Sequence, residues 1–88
     1  MADTPVTILY FAWLRERIGR TSEQLTLPPQ VETVANLVDF LAARGGGYAT
    51  AFGNRRAVRC AINQEFAPAV ASVQPGDEVA FFPPVTGG

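Results

Sequence analysis

The residues that could do chemistry stand at the end of the chain, where an apolar stretch runs into Pro83-Pro84-Val85-Thr86-Gly87-Gly88. The proline pair cannot donate hydrogen bonds to a sheet, so pairing should stop there and the chain should project in an extended form. Gly87 and Gly88 lack a β-carbon, so their backbone could enter a channel too narrow for other residues. A carboxylate on Gly88 is anionic at neutral pH and becomes an electrophile only when another protein activates it, for example as an acyl-adenylate. We therefore predict that this carboxylate is the working group.

The composition argues against most other kinds of site. The 88 residues contain no His, no Lys and one Cys, and all seven basic residues are Arg. These counts exclude a histidine general base, a Schiff-base lysine, a P-loop, an internal disulfide and an iron–sulfur cluster from this chain. A formal net charge of −1 gives no electrostatic case for nucleic acid or anionic membranes. We expect no metal site and no bound cofactor.

The length and hydropathy predict one globular domain over residues 1–88, with residues 83–88 as a protruding tail. The hydrophobic content of 48% is typical of a folded chain. No apolar run approaches the roughly 20 residues that span a bilayer. The amino terminus lacks the basic region of a secretory signal, so we expect a cytoplasmic protein.

The spacing of apolar residues predicts about five strands and one main helix. The runs Val6–Ala12 and Asp77–Phe82 are the most apolar and suit central strands. Thr33 should cap a helix that extends to Arg44 and ends at Gly45-Gly46-Gly47. The other predicted elements are one or two helical turns over 13–18, a half-buried strand over 22–27, a short helical turn or loop over 48–52, a strand over 57–62, a short extended return over 66–70 and a type II turn at Pro75-Gly76.

This order of elements predicts an α+β fold of the β-grasp type. One long helix cannot cover both faces of a sheet, so a single mixed sheet should wrap around it. Because the first and last strands are the most apolar, we place them side by side and parallel at the centre of the sheet.

Three stretches of the chain resemble a known family. They are Leu9-Tyr10-Phe11-Ala12-Trp13-Leu14-Arg15-Glu16, Ala61-Ile62-Asn63-Gln64-Glu65 and the run from Gly76 to Gly88. The chain resembles the ubiquitin-like proteins and, within them, the MoaD family of small subunits of molybdopterin synthase. The last stretch is the most specific, because it joins a strand, a proline pair and a Gly-Gly end, whereas the region 45–56 matches poorly.

The resemblance implies a sulfur carrier without catalytic activity of its own. An activating enzyme would use ATP to adenylate Gly88, and a sulfur donor would convert the acyl-adenylate to a thiocarboxylate. The large synthase subunit, in a heterotetramer with this chain, would take in the tail and pass the sulfur to a pyranopterin precursor.

The resemblance also implies an apolar partner-binding surface on Phe11, Phe66 and Phe82. For Phe81, whose side chain should point opposite to that of Phe82, we predict a core position. Cys60 is predicted to be a buried strand residue and not a reactive thiol.

Three alternatives share the Gly-Gly end or the fold. One is the sulfur carrier of thiamine biosynthesis, although the run Phe82-Pro83-Pro84-Val85-Thr86 favours the molybdopterin carrier. Another is a ubiquitin-like protein modifier that becomes attached to target lysines through Gly88, since the activation chemistry is shared. The third is an interaction module whose tail has no chemistry.

Overall fold

The structure is a computed structural model that describes residues 4–84 of the chain, and its framework is one mixed five-stranded sheet. The strands are β1 Val6–Tyr10, β2 Ser22–Leu25, β3 Arg59–Ile62, β4 Glu65–Phe66 and β5 Glu78–Phe82. Their order is β2-β1-β5-β3-β4; β1 and β5 are parallel, and the other neighbours are antiparallel. The prediction that the first and last strands are parallel partners at the centre of the sheet is therefore confirmed.

Three α-helices accompany the sheet within residues 4–84: α1 Trp13–Ile18, α2 Val34–Ala42 and α3 Gly46–Ala51. A 3₁₀ turn, Arg55–Ala57, precedes β3. The main helix is α2, and it begins as predicted at Thr33. The Thr33 side chain accepts a hydrogen bond from the Asn36 amide at 3.2 Å, and the Asn36 side chain accepts one from the Thr33 amide at 3.2 Å. This reciprocal capping satisfies two amides that the helix leaves free.

The core lies between the helices and the inner face of the sheet. The predicted apolar stripe of α2, namely Val34, Leu37, Val38 and Leu41, is buried there. The inward residues of β1 and β5 complete the centre of the core, because every second side chain of a strand points to the same face. These inward residues are Val6, Ile8, Tyr10, Val79 and Phe81.

Two predicted boundaries near the amino-terminal half are wrong. β1 ends at Tyr10 and not at Ala12, since Ala12 has φ 55° and ψ −133°, which no strand residue adopts. α2 ends at Ala42 and not at Arg44. Gly46 and Gly47, which were expected only to end the helix, form the first turn of α3.

Other predicted elements are shorter in the structure. β2 stops at Leu25, β3 starts at Arg59 after the 3₁₀ turn, and only Phe66 of the return over 66–70 is strand. The type II turn at Pro75-Gly76 is confirmed, because the Asp77 amide donates to the Gln74 carbonyl at 3.1 Å and Gly76 has φ 87°. Within residues 4–84 no helix has the length and apolar character needed to cross a membrane.

Candidate functional site

Strand β5 divides its side chains between the core and an outer face. Val79 and Phe81 are fully buried, whereas Glu78, Ala80 and Phe82 point the other way and are half-buried. Phe81 packs against Phe52 and Tyr10, with ring centroids 5.1 and 6.4 Å away. The prediction that Phe81 belongs to the core is confirmed.

The outer face carries the three phenylalanines that the resemblance singled out. Phe66 and Phe82 have ring centroids 5.8 Å apart, and Phe66 is 78% exposed. Phe11 is 45% exposed and follows β1, the strand that lies beside β5. We call these three residues the aromatic patch. Exposed phenylalanines clustered on one face are typical of a protein–protein contact surface.

Small apolar residues extend the aromatic patch along the outer face, which the sequence analysis missed. Ala80 of β5 lies between Leu9 of β1 and Ala61 of β3 in the strand register. Ala61 in turn pairs with Phe66 of β4. Only the pairing of strands far apart in sequence brings these residues together, although alternation within each strand could have identified the outward positions.

The backbone at Ala12 fixes the position of Phe11. The Phe11 amide donates to the Phe81 carbonyl at 3.1 Å, which continues the β1–β5 ladder one residue beyond β1. Ala12 then adopts its positive φ, a conformation that is strained for a residue with a β-carbon. The chain thereby turns into α1 immediately after Phe11, which stays beside the end of β5 at the root of the tail.

The tail leaves the sheet directly after the aromatic patch. Pro83 and Pro84 are half-buried and follow the last residue of β5, so the ladder stops where the sequence predicts. Val85, Thr86, Gly87 and Gly88 lie outside the described residues. The role assigned to the Gly88 carboxylate stays a prediction, and so does the partner-binding role of the aromatic patch.

Comparison with known proteins gives the family. A family model described as the ThiS family matches residues 8–88. This chain belongs to the ThiS family. The molybdopterin synthase sulfur carrier subunit of Haemophilus influenzae is 39% identical to it, over 94% of this chain and 99% of that protein. The subunit of the same name from Escherichia coli is 35% identical, with the same coverage of each chain.

A solved structure shares the fold of this ThiS-family chain. The crystal structure of H. volcanii small archaeal modifier protein 1 superposes with a TM-score of 0.70 at 25% identity, covering 93% of this chain and 99% of that one. The ubiquitin-like β-grasp architecture expected from the sequence is therefore confirmed.

The one thiol of this ThiS-family chain is unsuited to nucleophilic chemistry. Cys60 is 6% exposed on the inner face of β3, as predicted, and burial raises the pKa of its thiol to about 11. The thiol therefore stays protonated at neutral pH, and a protonated thiol is a poor nucleophile. Among residues 4–84, His, Cys, Asp and Glu side chains form no group of three that could hold a metal ion.

A buried carboxylate was missed by the sequence analysis. The Glu23 side chain is only 5% exposed and accepts hydrogen bonds from Tyr10 Oη at 2.8 Å and Tyr48 Oη at 2.6 Å. Arg44 and Arg20 donate to its other oxygen at 3.0 and 3.1 Å. Glu23 and Leu25 are two positions apart in β2, so their side chains lie on the same face of the strand. This alternation was the sequence signal that could have placed the Glu23 side chain on the inner face. Its partners form a structural network on the inner side of the sheet, away from the aromatic patch.

The electrostatics of this network follow from its geometry. Burial alone would raise the pKa of Glu23, but the hydrogen bonds from Tyr48, Tyr10 and Arg44 together hold it below the usual value of 4.5. Burial and the bond to Glu23 raise the pKa of both tyrosines, so each remains a protonated donor. The carboxylate is thus ionised and fully paired at neutral pH.

Proposed function

We propose that this chain is the sulfur carrier subunit of molybdopterin synthase, with the sulfur carried on the Gly88 carboxylate. The observation that supports the proposal most directly is the position of the tail root. β5 ends at Phe82 in the aromatic patch and Pro83-Pro84 follow directly, so a partner that covers the patch also meets the root of the tail. The names of the two relatives described above point to the same role.

The chemistry needs two preparatory steps outside this chain. In an activating enzyme, a Gly88 carboxylate oxygen attacks the α-phosphate of ATP, and pyrophosphate leaves. A sulfur donor then displaces AMP from the acyl-adenylate and leaves a thiocarboxylate. Both steps need cations and acid–base groups, which a chain without His or Lys would take from its partners.

The transfer step takes place in the large synthase subunit. The thiocarboxylate sulfur attacks an oxygen-bearing carbon of the pyranopterin precursor, so that the C–S bond forms as the C–O bond breaks and the oxygen leaves with a proton. Water then hydrolyses the resulting thioester, which leaves a thiol on the pterin and regenerates the Gly88 carboxylate. The narrow Gly-Gly end lets the sulfur reach a buried site, and the aromatic patch holds the carrier against the large subunit. We propose a heterotetramer with two copies of each subunit.

The first test is the intact mass of the protein purified from cells with an active pathway. The mass should show one oxygen replaced by sulfur, located on the carboxyl-terminal peptide. A reconstituted assay with the activating enzyme, ATP, sulfide, the large subunit and the precursor then measures sulfur transfer.

Deletion of Gly88 is expected to abolish transfer in that assay. It moves the carboxylate by one residue, about 3.3–3.6 Å of extended chain, and a displacement of about 1 Å can cost roughly a hundredfold in a positioned reaction. One glycine added after Gly88 should have the same effect, whereas one glycine added before Met1 is the matched control and should have none. Transfer at close to the wild-type rate without Gly88 would refute the proposal.

A protein modifier is the second candidate, and the likeness to the archaeal modifier structure favours keeping it. It predicts isopeptide bonds between Gly88 and lysines of other proteins. Their detection by mass spectrometry in cells, together with no binding to the large synthase subunit, would replace the first proposal with the second.

A further inference from the structure

The outer face of the sheet has a basic end at the root of the tail. Arg59 lies directly opposite Phe82 in the β3–β5 register, and its side chain is exposed. Its guanidinium donates to the Arg56 carbonyl at 3.1 Å and to the Val58 carbonyl at 3.4 Å, which holds it at the start of β3. Arg56 is also exposed, whereas Arg55 is paired with Asp39. We call Arg56 and Arg59 the basic end.

The opposite end of the same face carries a carboxylate. Glu78 starts β5 on the outer face. Its neighbours do not share that position: Asp77 accepts hydrogen bonds from the Asn63 side chain and the Gln74 amide, and Glu65 pairs with Ile62 beside the buried Val79. The ion pairs found within residues 4–84 use Glu23 and Asp39 and not Glu78. We call Glu78 the acidic end.

The aromatic patch therefore lies on a face with a charge gradient directed along β5. Phe82 lies four positions after Glu78, which corresponds to about 13 Å of strand. This distance exceeds the Debye length of about 8 Å at physiological ionic strength, so a charge on a partner interacts mainly with the nearer of the two ends. The net charge of −1 conceals this asymmetry.

We infer that this charge gradient sets the orientation in which the carrier docks. This inference rests on the proposed function and adds the surface chemistry of the partner. The large subunit should present a carboxylate opposite the basic end, outside the channel that admits the anionic end of the tail, and a cation opposite the acidic end. Complementary charges around an apolar centre steer the encounter and fix its register.

Orientation matters because the aromatic patch alone leaves it poorly defined. Three phenylalanines and the small residues beside them offer apolar area but few directional contacts. The tail, in contrast, must enter its channel to within about 1 Å for efficient transfer. Charges at the two ends of β5 remove the rotated docking modes, since those would place like charges together.

A charge swap that conserves net charge tests the inference. The double variant Arg59→Glu/Glu78→Arg inverts the gradient and keeps the net charge of the chain at −1. A second swap at the same two positions, Arg59→Asp/Glu78→Lys, does the same with other side chains, so the test does not depend on the folding of one variant. The matched control is Arg17→Glu/Glu32→Arg, two exposed positions on α1 and before α2.

The readout is the Kd and the association rate with the purified large subunit, measured at low and high salt on variants whose thermal unfolding has been checked. Each on-face swap should weaken binding roughly tenfold or more at low salt, and the control swap should stay within about twofold. Added salt should slow association of the wild type and speed association of the swaps, because screening removes attraction in one case and repulsion in the other.

The possible failures separate the two proposals. On-face swaps that bind as tightly as the wild type, while Phe82→Asp binds weakly, would overturn the charge gradient and leave the proposed function standing. A wild-type chain that does not bind the large subunit at all would overturn the proposed function, and the inference with it.

Discussion

At the scale of single residues, Phe81 and Phe82 are neighbours in the chain whose side chains lie on opposite faces of β5. Phe81 is fully buried between Tyr10 and Phe52, so it contributes to the core. Phe82 is half-buried beside Phe66 on the outer face, where a partner could cover it. The same substitution should therefore destabilise the fold at position 81 and weaken partner binding at position 82.

We predict that Phe82→Asp weakens binding to the large subunit at least a hundredfold and lowers the free energy of unfolding by only about 1 kcal/mol. The carboxylate stays hydrated in the free protein but would be buried without a partner in the complex. Phe81→Asp is the matched control and should unfold the chain, since an unpaired buried carboxylate costs several kcal/mol of a total near 5–15 kcal/mol. Calorimetric unfolding and titration calorimetry measure the two effects, and an unfolded Phe82→Asp variant would assign Phe82 to the core.

At the scale of elements, α3 is the part of the fold that depends most on a close backbone contact. A β-carbon built at Gly47 would overlap the carbonyl oxygen of Arg17 and lie 2.9 Å from its carbonyl carbon. α3 therefore packs against the end of α1 only because residue 47 has no side chain. This contact places Tyr48 where it can reach Glu23.

We predict that Gly47→Ala destabilises the protein by roughly 2–3 kcal/mol, comparable to overpacking in a core. Helix propensity alone would give the opposite sign, a gain of about 1 kcal/mol. Ala49→Gly, at an exposed position of the same helix, measures that propensity term without the contact. Urea unfolding at neutral pH gives both values. A Gly47→Ala variant more stable than the wild type would show that α1 and α3 are not packed as described.

At the scale of the whole molecule, the Glu23 network joins segments that are distant in sequence. Tyr10 comes from β1, Glu23 from β2, Arg44 from the residues after α2 and Tyr48 from α3. One carboxylate therefore ties an edge of the sheet to the helical layer. Its pKa is held below 4.5 in the folded state, so its ionised form is bound more favourably there than in the unfolded chain.

The network should make stability depend on pH in the acid range. A folded-state pKa below the unfolded value gives stabilisation that is complete above the unfolded value and is lost as the pH falls through the folded value. We predict that Glu23→Gln lowers the free energy of unfolding by about 2 kcal/mol at pH 7, since hydrogen bonds to a charged group are lost. The difference from the wild type should shrink below pH 4.5.

Thermal unfolding of both proteins between neutral and acid pH measures this difference. Glu32→Gln, which changes an exposed carboxylate before α2, is the matched control and should follow the wild type at every pH. A Glu23→Gln variant as stable as the wild type at pH 7 would show that the network contributes nothing to the fold.

Much of the fold was predictable from the sequence because its causes are local. Alternation and apolar runs depend on neighbours, so the central strands and the core position of Phe81 could be read directly. Helix capping by Thr33 and strand termination by Pro83-Pro84 also depend only on residues a few positions away in the chain. The chemistry proposed for the tail comes from the sequence alone, since the described residues end at Pro84.

The tertiary structure decided what depends on residues far apart in the chain. Gly46 and Gly47 form the first turn of α3 where the sequence predicted only a stop, and Gly47 must be glycine because the carbonyl of Arg17, 30 positions earlier, lies where a side chain would be. Glu23 is buried because Tyr48, 25 positions later, donates to it. Strand pairing likewise placed Arg59 opposite Phe82 and Ala61 beside Ala80. Such contacts form only when distant segments pack together, and propensity or spacing within a short window carries no information about them.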